Sequence, residues 1–218
     1  MEDIGKAFTY MFEDEDWVTK IVVGGVFVLL SGLLIGVPFV AGYSIETLRN
    51  VAEGNPRPLP RWTNLGDKFI LGLVIIVALI IWYIPFIVIV GAAGAVGGLA
   101  GVTDSAGLGG FAALLNCLGN IYNLFVAFIS PAIFISYSEK GTLGSAFDFG
   151  RIFGIIGANV GNYVVVFLLT IVAGIIAALG LIAFCIGVLF TVFWSQLVQA
   201  GLYGKLRRSL PPAPGVMA

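Results

Sequence analysis

Histidine is absent from this chain of 218 residues, which removes the commonest general base and metal ligand. Charge is scarce as well: only 11% of residues are charged, against roughly a quarter in ordinary soluble domains. The net charge of -1 and the scatter of the basic residues offer no patch for nucleic acid. Cys117 and Cys185 both fall inside apolar runs, and two lone thiols form neither a disulfide framework nor a metal motif. There is no G-x-S-x-G, and Ser130 and Ser195 have no candidate base within their own segments. The glycine-rich GAAGAVGGLAG lacks the Lys-Ser/Thr ending of a phosphate loop. These absences predict a non-enzymatic protein with no catalytic residue, no cofactor and no metal.

What the chain has in quantity is apolar length. It is 59% hydrophobic with a mean hydropathy of +1.06, and several runs reach the roughly 20 residues that a helix needs to cross hydrocarbon. The runs cover residues 21–45, 69–99, 111–137 and 155–203, the last near twice the spanning length and predicted to turn about Gly180. The expectation is an all-α, polytopic integral membrane helix bundle, one domain over residues 1–218. It has four long transmembrane helices plus a first apolar segment that is either a re-entrant hairpin or a fifth span. GLLIGVP, with Gly32, Gly36 and Pro38, supplies the place for a hairpin to turn.

Ahead of the first run, Ile4, Phe8, Met11 and Phe12 recur at helical spacing, predicting a short amphipathic helix in residues 1–17 that lies in the interface with Trp17 at headgroup level. Glu13, Asp14, Glu15 and Asp16 read as a solvated acidic face. MFEDEDW is unlike the basic start of a signal peptide, so the first run is expected to stay in the mature protein.

Basic residues set the orientation, because Lys and Arg accumulate in short cytoplasmic segments. Arg49, Arg57, Arg61 and Lys68 occupy a proline-rich connector over residues 44–68, Lys140 and Arg151 the next connector, and Lys205, Arg207 and Arg208 a tail over residues 204–218. All three are expected in the cytoplasm, with the chain in a bacterial or archaeal cytoplasmic membrane and its C-terminus inside. A weak internal repeat agrees: GKAF at 5–8 recurs as GSAF at 144–147, RWTNLGDKFILG holds the same place before the second run, and each apolar unit leaves through a Tyr-bearing exit, GYSIETLR, SYSEKG or GLYGKLR. Three equivalent units would each enter and leave on the cytoplasmic side, which favours the hairpin for the first.

The connector itself reads GYSIETLRNVAEGNPRPLPRW over residues 42–62. Gly54 provides a helix stop, Pro56, Pro58 and Pro60 hold an extended chain, and Trp62 is expected to re-enter the interface. A rigid spacer is the plain interpretation, with a partner docked on the proline ridge the other. This stretch, followed by FILGL and preceded by FEDEDW, resembles a prokaryotic family of uncharacterised membrane proteins, domain of unknown function four-zero-one-three. By that resemblance Gly42, Tyr43, Arg49, Gly54, Leu59, Pro60 and Trp62 occupy signature positions. The resemblance covers the first third of the chain, the rest matching only in being apolar and repeat-like, and implies an architecture but no activity.

Small residues four apart, at Gly32 and Gly36, Gly94 and Gly98, Gly97 and Gly101, Gly150 and Gly154, and Gly157 and Gly161, predict close helix contacts within a bundle or a homo-oligomer. Asn116, Asn120 and Asn123, continued by Ser130 and Tyr137, form a polar stripe that is expected to face the bundle interior, either as hydrogen-bonding glue or as the lining of a hydrated path. Asn159, Asn162, Gln196 and Gln199 add further amides. The functional expectation is a scaffold or accessory subunit that binds protein partners or lipids in the bilayer; the alternative is a small transporter or channel for a polar or amphiphilic solute, built on the asparagine stripe.

Overall fold

A computed structural model describes residues 4–180 and 186–211, and among these every regular element is helical. Seven α-helices follow in order: α1 (Trp17–Ser31), α2 (Val37–Glu53), α3 (Leu65–Thr103), α4 (Ala106–Lys140), α5 (Phe149–Ala158), α6 (Val160–Leu179) and α7 (Ile186–Arg208). The described residues divide into two compact units, the first running up to Ile76 and from Pro131 onward, the second Val77–Ser130.

The helices α3, α4 and α6 are long and apolar enough to cross a membrane. That is three where the sequence predicts four. α7 is not among them: Gln196, Gln199, Lys205, Arg207 and Arg208 lie along it, and residues 181–185, just beyond Gly180, lie outside the described residues. The last apolar run also begins with a break: Asn159 caps α6 by accepting from the Asn162 backbone N–H at 3.0 Å, which separates the short α5 from it.

Residues 21–45 do not form one straight helix. α1 stops at Ser31, the chain turns through residues 32–36, and α2 starts with Pro38 in its first turn, a position that needs no N–H donor. Phe27 and Phe39 meet across this turn with ring centroids 4.8 Å apart. The expected amphipathic helix before α1 is instead a pair of 3-10 turns, Ile4–Phe8 and Tyr10–Glu13. Its inward residues are Ala7 and Met11, both fully buried, while Phe12 is exposed. The Tyr10 hydroxyl donates to the Leu197 carbonyl at 2.8 Å, so the segment is anchored on α7. The repeat is visible here: Leu143–Phe147 is a matching 3-10 turn, and Ala146 is as buried as Ala7.

The first unit is organised around α7, which packs on α1, α2 and α6. An added Cβ at Gly24 would overlap the Phe193 ring, which is why α1 can approach α7 at that point. α2 meets the start of α3 through two reciprocal glycines. A Cβ at Gly42 would overlap the Lys68 carbonyl oxygen and one at Gly72 the Pro38 carbonyl oxygen. Of the pairs predicted from four-residue spacing, Gly32 and Gly36 include one such close approach, an added Cβ at Gly36 overlapping the Phe27 carbonyl oxygen, whereas Gly94, Gly98, Gly101, Gly154 and Gly157 have nothing within 4 Å of an added Cβ. Spacing marks helix faces that permit close approach; it does not say which of them a neighbour uses.

Candidate functional site

The signature residues converge on the proline connector. α2 ends in a left-handed Gly54 with φ 77°, and the Gly54 and Asn55 N–H groups donate back to Val51 and Asn50 carbonyls at 3.1 and 3.0 Å, so the last turn is closed in the manner of a Schellman cap. Beyond it the chain is extended, and extended proline-rich backbone satisfies none of its own carbonyls. Pro58, Leu59 and Pro60 are buried nevertheless. Three side chains supply the donors that water would otherwise supply: Asn50 Nδ2 to the Pro58 carbonyl at 2.9 Å, Lys20 Nζ to Leu59 at 3.0 Å and Tyr43 Oη to Pro60 at 2.9 Å.

Trp62 closes the assembly. Its ring stacks on Tyr43 at 4.3 Å and on Phe27 at 4.6 Å, and its Nε1–H donates to the Lys20 carbonyl at 2.9 Å. The expected headgroup anchor is therefore a packed side chain, and within the extended connector Pro58 and Pro60 turn inward while Pro56 is exposed. Both have one cause: three consecutive carbonyls find donors on α1 and α2, which draws the connector down onto them.

The Lys20 that holds Leu59 also pairs with Asp14 Oδ2 at 2.7 Å, with side-chain exposures of 10% and 3%. The acidic run is thus not uniformly solvated, since its second member is buried against a lysine six residues on. A second buried lysine, Lys68, pairs with Glu46 at 2.7 Å and donates to the Thr63 carbonyl at 3.1 Å. Neither lysine shows in apolar patterning; their partners at i−6 and i−22 are the only sequence trace.

At the end of α4, arginines from three helices meet. Arg49 Nε donates to the Ser138 carbonyl at 2.7 Å, Arg207 Nη1 to Ser138 Oγ at 3.2 Å, and Arg151 grips Glu139 through two bonds at 3.0 and 2.5 Å. Burial lowers the Arg207 pKa from its ordinary value, with Glu139 opposing and Arg49 adding to the shift. Arg49 also lies over Gly141, which has φ 67°. These contacts tie the C-terminal ends of α2, α4 and α7 together, where cations complement the helix dipoles.

The asparagine stripe belongs to the second unit. Asn116 and Asn120 are exposed and Asn123 half-buried, so the stripe does not face an interior. Asn116 Nδ2 donates to the Ala112 carbonyl at 3.0 Å, Asn120 Nδ2 to Asn116 at 2.8 Å and Ser130 Oγ to Ala127 at 3.0 Å. Each bonds back to its own helix, which lets a polar side chain stay on an outward face. Tyr122, one of the two tyrosines of this unit, makes a cross-helix bond instead: its Oη donates to the Trp82 carbonyl at 2.8 Å.

A family model described as a protein of unknown function, DUF4013, matches residues 24–187. The chain belongs to this family. The match runs well beyond the first third of the chain where the motif resemblance is strongest, and it starts after FEDEDW, which lies outside it. Of the seven positions that carry the resemblance, Tyr43, Gly54, Leu59, Pro60 and Trp62 lie at the connector or its helix cap, Gly42 packs on the Lys68 carbonyl, and Arg49 ties α2 to α4. No curated protein and no solved structure matches the chain.

Proposed function

We propose that this DUF4013 protein is an integral protein of a bacterial or archaeal cytoplasmic membrane, crossed by α3, α4, α6 and α7, with α1 and α2 as a re-entrant hairpin and the C-terminus in the cytoplasm. The observation that carries this reading is the hairpin tip. Leu33, Leu34 and Ile35 are 70%, 78% and 59% exposed, a composition suited to hydrocarbon and not to a turn in water. The tip also looks after its own backbone: the N–H groups of Gly32, Leu33, Leu34 and Gly36 donate to Leu29, Leu30, Ser31 and Leu30 carbonyls at 2.9–3.2 Å. Irregular backbone at membrane depth requires such satisfaction.

The role is non-enzymatic: a scaffold or accessory subunit that holds protein partners or lipids. Support comes from the use of the polar groups, since the signature side chains are spent on internal bonds. The space beside Gln196 and Gln199 is about 10 Å³, room for about one water. A small transporter or channel is the second reading, resting on the exposed Asn116 and Asn120; it needs copies of the chain to enclose a path.

Cysteine accessibility tests the topology in a background with Cys117 and Cys185 replaced. Glu15→Cys and Asn55→Cys should react with an impermeant maleimide from the cytoplasmic side only, and Leu34→Cys from neither side. Labelling of Glu15→Cys from outside alone would refute the hairpin. Isolation from native membranes should retain a stoichiometric protein or lipid, whereas solute flux through proteoliposomes of the pure protein would favour the transporter.

A further inference from the structure

We propose that two copies of this chain meet in the membrane across the asparagine face of α4. This pairing names a protein partner for the scaffold and rests on α4 crossing the bilayer, as proposed above. At 1.5 Å per residue, Asn116 and Asn120 lie about 8 and 14 Å inside the apolar run that starts at Phe111, so Asn120 sits near the middle of roughly 30 Å of hydrocarbon. Both are exposed. Their bonds to the Ala112 and Asn116 carbonyls use one N–H of each amide, whereas an amide carries two N–H donors and an oxygen with two lone pairs. One donor and the acceptor of each therefore stay on the exposed face, where acyl chains offer no partner and an unmade bond costs the desolvation of the group.

Whatever covers this face must supply donors and acceptors at that depth. Lipid does not, because its polar oxygens stay at the interface. An ionic partner finds nothing to pair with, since Asp104, in the turn before α4, is the only charged residue of the second unit. A second copy of the same face fits: an amide is donor and acceptor at once, and in a two-fold pair each asparagine meets its own counterpart. Asparagines set register and partner number in coiled coils by the same chemistry. The surroundings let the two helices come near enough. Gly109, Ala113 and Cys117, at four-residue spacing, share the face with Asn116 and Asn120 and are all exposed, and a Cβ added at Gly109 would meet nothing. Small side chains so spaced bring backbones close, and Leu124, 66% exposed, continues the face with apolar contact.

Cys117, on this face, provides the reporter. The full chain with Cys185→Ala is oxidised in its membranes with iodine, a permeant reagent that joins two neighbouring thiols as a disulfide. A non-reducing gel should show a species of twice the chain mass. Val172→Cys in a background without Cys117 and Cys185, at an exposed position of α6, measures random collision and should give little of it. The association constant, read by energy transfer between copies labelled at the C-terminus as lipid is added, should fall at least about tenfold in Asn116→Leu with Asn120→Leu, because each lost interhelical bond carries a factor of about three. Ala113→Phe, which removes no hydrogen bond but holds the helices apart, should weaken association as well and keeps the test decisive if the double variant proves unstable. A Cys117 yield no greater than that of Val172→Cys, or a cross-linked species of another mass, overturns the proposal. Failure of the α4 span shows differently, as labelling of Cys117 by an impermeant maleimide.

Discussion

The two units of the molecule use the same residue types in opposite ways. In the first, an added Cβ at Gly24, Gly36, Gly42, Gly72 or Gly204 would overlap neighbouring atoms, lysines are buried against carboxylates, and irregular backbone is held by side chains from elsewhere. In the second, Gly91, Gly94, Gly98 and Gly101 touch nothing, the only charged residue is Asp104, and Asn116 and Asn120 bond to their own helix. One unit is specified by contacts distant in sequence; the other is specified mainly by the helix ladder. Gly119, whose added Cβ would come within 2.9 Å of Val90, and Tyr122 are the exceptions that hold the second unit's helices to each other.

The largest effect that would sharpen this contrast is expected at Lys20. Lys20→Met leaves Asp14 buried without its counter-ion and the Leu59 carbonyl without a donor, and breaking a buried pair from one side costs about 3–5 kcal/mol. Thermal unfolding in detergent should show the loss, with Asp14→Asn restoring part of it in the double variant. Asp104→Asn, at an exposed turn of the second unit, should stay within about 0.5 kcal/mol. Equal effects at the two positions would erase the distinction.

Gly42→Ala comes next. The obstacle to the new methyl is the Lys68 carbonyl, a backbone atom that cannot rotate away as a side-chain tip would, so the helices must part at a cost of about 1–3 kcal/mol. The measured melting temperature should fall, and Gly72→Ala, whose obstacle is the Pro38 carbonyl, should repeat the loss.

These positions also mark how far the sequence was legible. The turn between α1 and α2, the helix stop at Gly54 and the membrane-spanning length of α3, α4 and α6 are local properties: glycine tolerance of positive φ, proline at a helix start, and apolar run length. All three could be read directly. The burial of Asp14, Lys20 and Lys68 could not, because a charge is buried only where its partner is folded beside it, and Leu59 lies 39 residues from Lys20. The burial of Pro58 and Pro60 is hidden in the sequence for the same reason. The outward position of Asn116 and Asn120 is equally hidden, because the carbonyl at i−4 can take up an amide donor without a neighbouring helix.

The asparagines therefore provide the third comparison. Asn116→Leu with Asn120→Leu removes two bonds within one helix, and with roughly 0.6 kcal/mol expected per intramembrane hydrogen bond the melting point should move little. A marked destabilisation would mean that another surface covers this face, and size-exclusion chromatography with light scattering would then show whether it is a second copy.

The smallest effect carries the sharpest test, because its sign should be opposite to that at Gly42. Gly98 is helical and has no atom within 4 Å of an added Cβ, so Gly98→Ala meets no obstacle. Replacing glycine by alanine in a helix interior removes backbone freedom from the unfolded chain and favours the helix by about 0.5–1 kcal/mol. The same chemical change is thus expected to stabilise one unit slightly and destabilise the other, as read by paired unfolding curves in one detergent. Were Gly98→Ala instead to cost stability or to lower the oligomeric mass, the glycine face of α3 would be a contact surface after all. The spacing of Gly94 and Gly98 would then have pointed to a neighbour outside the single chain.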